Sequence, residues 1–236
     1  MYSFKSRVRY SEVDKDGYLS LEAIMNYFQD CSSFHSEDLG VGLGFLQERK
    51  LGWMIIAWHV RILKRAKMGE EITIGTWPYS FKHIKGGRNY VLKNADGETI
   101  AMADSEWVLY DLDKERITKI PPEISEKYTI EEPLDMGNFR KGMNREEDTE
   151  LRDEIVVTPF FLDTNGHVNN VKYLSLAEGY LGGPSMYDEL FVEYRNQAFL
   201  HDKISVFMEK DLSKKRIILK NQKDDLLVGI EFEKSE

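Results

Sequence analysis

The sequence predicts an α+β protein made of two tandem copies of one unit, each with one long helix and a series of strands. Two observations lead to this prediction. A strand, a helix and four further strands can be read in the first 112 residues, and the same order of elements returns after residue 150. A helix that accompanies successive strands joined by short turns is typical of an α+β domain with an antiparallel sheet.

The first long helix is predicted over residues 20–40. Ser20 is suited to cap its start and Gly40 to end it, because a serine oxygen can accept a free backbone N–H and glycine tolerates the left-handed conformation. Apolar residues recur between them at helical spacing, which indicates one buried side: Leu21, Ile24, Phe28, Cys31 and Phe34.

Strands are expected before and after this helix. Residues 3–11 alternate like a strand. Four long apolar stretches follow the helix, with a turn at Asn94–Gly97: 53–63, 70–81, 86–94 and 98–112. The second half is interpreted as a strand at 154–161, a helix from about 169 to 181, a loop at the sequence GGPS, and four strands: 189–199, 202–210, 215–222 and 226–234.

A segment between the two halves has a different composition. Residues 121–150 carry three of the six prolines, many charges and little periodicity, which is typical of a linker. We therefore expect an N-terminal domain at residues 1–125, a linker at 126–150 and a C-terminal domain at 151–236.

Charge and cysteine content narrow the functional classes. A net charge of −9 and a pI near 5.2 argue against a nucleic-acid partner, since phosphates would be repelled. The basic stretches 61–67 and 82–88 are either solvated strand faces or a docking surface for an acidic macromolecule.

Cys31 is the only cysteine, so no intramolecular disulfide can form, and a reducing cytoplasm fits best. No apolar stretch reaches the length of a membrane span, and a soluble, unexported chain is expected.

The two halves can be aligned residue by residue around one short motif. Residues 13–27 match residues 162–176 with Asp14 over Asp163, Asp16 over Asn165, Gly17 over Gly166, Tyr18 over His167 and Leu19 over Val168. The match lies between the first strand and the helix in each half, which favours duplication. Because only the second copy has an imidazole, a catalytic centre in this motif is expected in the second half.

The stretch DTNGHVNNVKYL, residues 163–174, resembles the D-x-N-x-H-V-N-N-x-x-Y segment of acyl-acyl-carrier-protein (acyl-ACP) thioesterases of the bacterial type. The resemblance extends over nearly the whole chain. It implies two tandem hotdog domains, in which a long helix is wrapped by an antiparallel sheet, and hydrolysis of fatty acyl-ACP. It places the catalytic asparagine and histidine at Asn165 and His167 and the motif aspartate at Asp163.

The sequence departs from this family at a second segment. The family pattern E-Y-R-R-E-C corresponds to EYRNQA, residues 193–198, so that Gln197 and Ala198 replace a glutamate and a cysteine. A cysteine nucleophile at that site is therefore excluded, and one carboxylate that could serve as base is missing.

The resemblance also implies that the first domain houses the acyl chain, with Met25, Phe28, Gln29 and Ser32 as lining residues.

These residue types suit hydrolysis by an activated water molecule. His167 can accept a proton near neutral pH, Asn165 can orient water or donate to the thioester oxygen, and Gln197 can position either partner. If the segment is extended, residues 163, 165 and 167 face one side. The following helix start is expected to offer free N–H groups to an oxyanion. The hypothesis is that Asp163 and His167 share the base function, with Asn165 and Gln197 orienting.

Simpler explanations exist for several of these features. Asp163 and Asn165 could form an Asx turn that satisfies backbone groups at a helix start. The five histidines show no pair at helical metal-ligand spacing, which disfavours a metal site. Cys31 and His35 are four residues apart, but a buried cysteine beside a boundary histidine explains them better than a catalytic pair. The four tryptophans are interpreted as core residues.

We predict an acyl-ACP thioesterase that releases free fatty acid, needs no cofactor and has acyl carrier protein as its partner. The alternatives are an acyl-coenzyme A thioesterase, a non-catalytic acyl-binding module and, less in keeping with the motifs, a hotdog dehydratase. Acyl chain length, saturation preference and oligomeric state are left open, since a monomer and a homodimer both agree with the sequence.

Overall fold

The structure, a computed structural model, describes residues 1–139, 143, 149–163, 165–181, 187–209 and 215–234. The chain divides into two compact units, Met1–Gly137 and Asn138–Glu236. The predicted domain limits at residues 125 and 151 and the linker between them stay a prediction.

The first unit contains the long helix that the sequence predicts. Helix α1 spans Leu21–Asp38, and the Ser20 hydroxyl oxygen accepts the N–H of Ala23 at 3.1 Å. Gly40, two residues after the last helical residue, has a φ of +71° and donates its N–H to Glu37 O. Start and end signals are thus confirmed, because each depends on the local chemistry of one residue.

An antiparallel sheet covers one side of α1 in the first unit. Its strands are β1 Tyr2–Arg7, β2 Leu51–Ile62, β3 Glu71–Lys82, β4 Lys85–Asn94, β5 Thr99–Asp111 and β6 Arg116–Thr118. They lie in the order β1-β3-β4-β5-β2, with the short β6 paired to β5. The thiol of Cys31 on α1 lies 3.7 Å from Ile74 O on β3, and the rings of Phe28 and Tyr90 lie 5.2 Å apart.

Two short helices in this unit were not predicted. Helix α2 spans Leu43–Glu48 and α3 spans Pro122–Ser125. Both contribute to a small apolar cluster outside the helix–sheet core, which consists of Val41, Leu46, Leu109, Ile124 and Tyr128. Such short segments are too brief to show helical periodicity, so their apolar residues find partners only in the folded chain.

The second unit repeats the topology of the first. Its elements are β7 Thr149–Val156, α4 Asn170–Gly179, β8 Glu189–Tyr194, β9 Lys203–Glu209, β10 Lys215–Asn221 and β11 Leu226–Glu233. Its sheet has the order β7-β9-β10-β11-β8, which is the order of the first sheet with each strand replaced by its counterpart. The duplication predicted from the motif alignment is therefore present in the strand order as well.

The strand predicted at residues 154–161 is wrong in its second half. Strand β7 ends at Val156, and Pro159–Phe161 form a 3-10 helix. Proline has no N–H to give to a neighbouring strand, which explains the early end.

The predicted GGPS loop lies outside the described residues. None of the helices in the described ranges is both long and apolar enough to cross a membrane.

Candidate active site

The two aligned motifs form two loops with matching backbone hydrogen bonds. We call residues 13–19 the first motif loop and residues 162–168 the second motif loop; Thr164 lies outside the described residues. In the second loop Asp163 N–H donates to His167 O at 2.8 Å, and in the first Asp14 N–H donates to Tyr18 O at 2.8 Å. Each turns at a glycine with positive φ, +80° in the first loop and +78° in the second, where a residue with a Cβ would be strained.

The aspartate of each loop holds the turn together. Asp163 Oδ1 accepts the N–H of Asn165 at 2.8 Å and of His167 at 3.1 Å. Asp14 Oδ1 accepts the equivalent N–H groups at 2.9 and 3.1 Å. The segment is a turn and not an extended strand, so the expectation that residues 163, 165 and 167 face one side of a strand is wrong. The spacing of two instead brings two N–H groups within reach of one carboxylate oxygen.

A second pair of loops supports the motif loops. We call residues 65–70 the first supporting loop and residues 197–202 the second supporting loop. Leu19 N–H donates to Ala66 O at 2.8 Å, and Val168 N–H donates to Ala198 O at 2.9 Å. Because Ala66 and Ala198 occupy equivalent positions, Gln197 is the counterpart of Arg65.

The structure therefore places Gln197 beside the second motif loop, although 32 residues of sequence separate it from Asn165. Its side chain is exposed, as is that of Asn165, while Asp163 and His167 are half-buried. Ala198, which stands where the family has a cysteine, is completely buried. The roles of Asp163, Asn165, His167 and Gln197 in catalysis stay a prediction.

Phe199 is a neighbour of the candidate site that the sequence analysis missed. Its ring centroid lies 5.0 Å from that of His167 with the ring planes at 77°, an edge-to-face contact. The backbones of these two residues also form a bridge. The signal in the sequence was slight, a single aromatic residue directly after Ala198.

The two motif loops differ in what their aspartates contact. Arg65 Nη2 donates to Asp14 Oδ2 at 2.6 Å and to Leu19 O at 3.0 Å. The pKa of Asp14 is lowered: burial raises it, but the Tyr18 N–H and the Arg65 guanidinium outweigh that effect. Asp163 Oδ2 has no hydrogen-bond partner within the described ranges.

The start of α4 offers fewer free donors than expected. Asn169 Oδ1 accepts the N–H of Val171 at 2.9 Å, and Asn169 O accepts the N–H of Lys172 at 2.9 Å. These two N–H groups are therefore occupied. The prediction that this helix start supplies an oxyanion site is weakened, because a bonded donor is not available to a developing charge.

The residues predicted to line an acyl chain all lie on α1. Met25 and Phe28 are completely buried, and the Nε2 atom of Gln29 is buried without a hydrogen-bond partner among the residues that the structure describes. The hydroxyl of Ser32 donates to Gln29 O in the same helix at 2.8 Å. Their contact with substrate stays a prediction.

Cys31 and His35 do not bond to each other in the structure. The Cys31 thiol donates to Ile74 O, and burial raises its pKa to about 12. His35 Nδ1 lies 3.2 Å from Arg88 Nη1, and burial followed by the Arg88 charge lowers the His35 pKa to about 4. The interpretation of this pair as structural agrees with these contacts.

Comparison with solved structures gives the fold class of the protein. The solved acyl-ACP thioesterase from Bacteroides thetaiotaomicron superposes with a TM-score of 0.86 at 17% identity, covering 98% of this chain and 96% of the other. The 12:0-ACP thioesterase from Umbellularia californica superposes with a TM-score of 0.82 at 19% identity, with the same coverage of both chains. The fold is a tandem hotdog, as predicted.

Family models make the assignment specific. The model of the acyl-ACP thioesterase N-terminal domain matches residues 1–128, and that of the C-terminal domain matches residues 144–229. The chain belongs to the acyl-ACP thioesterase family. It is 28% identical over 190 residues to oleoyl-acyl carrier protein thioesterase 1, chloroplastic, of Arabidopsis thaliana, over 73% of this chain and 52% of that protein. The chain spans about half the length of the curated relatives it matches.

Proposed function

We propose that this protein hydrolyses fatty acyl-ACP thioesters to free fatty acid and acyl carrier protein. The observation that carries the proposal is the presence of both family domains together with a second motif loop that holds Asp163, Asn165 and His167. The first loop has matching backbone hydrogen bonds but Tyr18 in place of the histidine. The reaction is therefore assigned to the second loop.

The chemistry requires one activated water molecule. His167 takes a proton from water as the oxygen attacks the thioester carbonyl carbon, since an imidazole is suited to exchange protons near neutral pH. Collapse of the tetrahedral intermediate breaks the carbon–sulfur bond, and the proton passes to the leaving thiolate. No covalent enzyme intermediate is required.

The neighbouring side chains orient this step. Two backbone N–H groups hold Asp163 Oδ1, and the carboxylate shares the base function with His167 in this proposal. The exposed amides of Asn165 and Gln197 can hold water or donate to the carbonyl oxygen. Gln197 cannot act as a base, because an amide does not titrate.

The carrier is the second part of the proposal. Acyl carrier protein is preferred to coenzyme A because the chain belongs to a family defined on acyl-ACP. The basic stretches 61–67 and 82–88 support an acidic partner only in part, since Lys64 pairs with Glu98 and Lys85 pairs with Glu106. A cytoplasmic, reducing location suits the free thiol of Cys31.

A kinetic comparison tests the proposal. Purified protein is given acyl-ACP and acyl-coenzyme A of one chain length, and released fatty acid and thiol are measured. We expect faster hydrolysis of acyl-ACP and a fall of about 10²- to 10⁴-fold in kcat for His167→Ala. The matched control is Tyr18→Ala at the equivalent position of the first loop, which should keep its activity. Faster hydrolysis of acyl-coenzyme A would contradict the choice of acyl carrier protein as the carrier. Unchanged hydrolysis by His167→Ala would contradict the assignment of the reaction to the second motif loop.

A further inference from the structure

Tyr173 makes a contact that links the helix after the motif to the second supporting loop. Its hydroxyl oxygen accepts the backbone N–H of Ala198 at 3.1 Å. Tyr173 is 2% exposed and Ala198 is 0% exposed. Because both groups are shielded from water, water does not compete for this hydrogen bond, and the bond holds the loop at one fixed point.

The first unit lacks this contact. The residue of α1 that corresponds to Tyr173 is Ile24, whose side chain cannot accept a hydrogen bond. There the supporting loop is held by Arg65, which donates to Asp14 Oδ2 and to Leu19 O. Both units share the main-chain bond from Leu19 or Val168 to the supporting loop, and each adds a different side-chain contact, a guanidinium in the first unit and a phenol in the second.

This exchange changes the electrostatics of the motif aspartate. In the first unit the guanidinium occupies Asp14 Oδ2 at 2.6 Å, and an ion pair of that kind reduces the tendency of a carboxylate to accept a proton. The Tyr173 bond is made to a main-chain N–H and brings no cation to Asp163. The second supporting loop is therefore held without a guanidinium at the motif aspartate.

We infer that Tyr173 is a positioning residue that holds Gln197 and Phe199 against the second motif loop. Ala198 lies between these two residues, and Phe199 contacts the His167 ring at 5.0 Å, so a shift of the Ala198 backbone moves both neighbours. Tyr194 supports the arrangement from β8: its hydroxyl donates to Asn170 O at 2.9 Å and its ring lies 6.4 Å from that of Tyr173. The inference rests on the proposed function.

The first test is Tyr173→Phe, which removes the hydroxyl and keeps the ring. We expect a fall in kcat of about 3- to 10-fold, the size of one net hydrogen bond, with little change in KM. The matched control is Tyr180→Phe, at the end of the same helix, whose hydroxyl donates to Asp153 at 2.8 Å on the exposed side. This control also loses one tyrosine hydroxyl and its hydrogen bond, but away from the supporting loop, and it should keep its activity.

A double-mutant cycle separates positioning from general stability. If Tyr173 acts through the supporting loop, Tyr173→Phe should slow wild type but have much less effect in a Gln197→Ala background. Hydrogen exchange of residues 197–202 should also speed up in Tyr173→Phe and stay unchanged in Tyr180→Phe. An equal fold-change in both backgrounds, or unchanged exchange, overturns the inference while leaving the proposed function intact. A wild-type protein without thioesterase activity overturns both.

Discussion

The Arg65 guanidinium lies 2.6 Å from the Asp14 carboxylate in the first unit, whereas the corresponding pair in the second unit is Gln197 and Asp163. The motif loops are otherwise alike in their backbone hydrogen bonds and in the glycine at their turn. One loop is closed by an ion pair and the other is not. This difference, together with the exchange of tyrosine for histidine, distinguishes a structural copy from a candidate catalytic one.

Introducing the missing cation should inactivate the second loop. In Gln197→Arg the new guanidinium is expected to pair with Asp163 Oδ2, as Arg65 does with Asp14, and to lower kcat/KM at least about 10-fold because the carboxylate becomes a poorer proton acceptor. Gln197→Met controls for the lost amide at similar length. Steady-state kinetics on acyl-ACP would contradict the idea if the arginine and methionine variants lost equal activity.

Removing the native cation should destabilise the first unit. The Arg65 and Asp14 side chains are only 17% and 11% exposed, so Arg65→Gln is expected to cost about 1–3 kcal/mol at pH 7. Since the folded pKa of Asp14 is lowered, this stabilisation is present above the unfolded pKa of about 3.9 and disappears as the pH falls through the folded value. Urea unfolding at pH 7 and pH 3 checks this; a cost that is undiminished at pH 3 speaks against the ion pair.

Asp104 should make stability depend on pH in the opposite direction. Burial raises its pKa to about 7, against a lowering effect of the Tyr79 hydroxyl, which lies 3.4 Å from Oδ2. Because the folded pKa is raised, the contribution of Asp104 to the free energy of unfolding is highest below a pH of about 4. This contribution is lost as the pH rises towards 7. Asp104→Asn should therefore be the more stable protein at pH 8, by about 1–3 kcal/mol, and lose this advantage at pH 4. Asp113→Asn, at an exposed position, is the control; equal pH profiles for wild type and Asp104→Asn would refute the effect.

Cys31 should be unreactive until the protein unfolds. Its side chain is completely buried, the thiol donates to Ile74 O, and burial raises its pKa to about 12. A thiol in this state forms little of the nucleophilic thiolate at pH 8. We expect negligible reaction with an aromatic disulfide reagent in the native protein and one thiol per chain in guanidinium chloride. Rapid labelling of the native protein would mean that α1 opens locally.

Much of the fold could be predicted because it depends on local patterns. The bounds of α1 follow from Ser20 and Gly40, and the repeated order of strands follows from apolar runs and turns. Helices α2 and α3 could not be predicted, because their apolar residues Leu46 and Ile124 are buried by partners distant in sequence. Asp163, Asn165 and His167 were found from spacing and resemblance, but the reason for the spacing was misjudged, since an Asx turn and a strand both suit alternate polar residues.

By itself the sequence determined the duplicated order of elements, the motif and the resemblance from which the family was predicted. Only the tertiary structure decided which residues support the two motif loops: Arg65 reaches Asp14 across 51 residues, and Ala198 reaches Tyr173 across 25. The sequence separations of these bonded residues follow neither a helical or strand period nor a fixed motif spacing. Their partners are brought together by the pairing of strands and the packing of helix on sheet, so their chemistry becomes visible only in the folded chain.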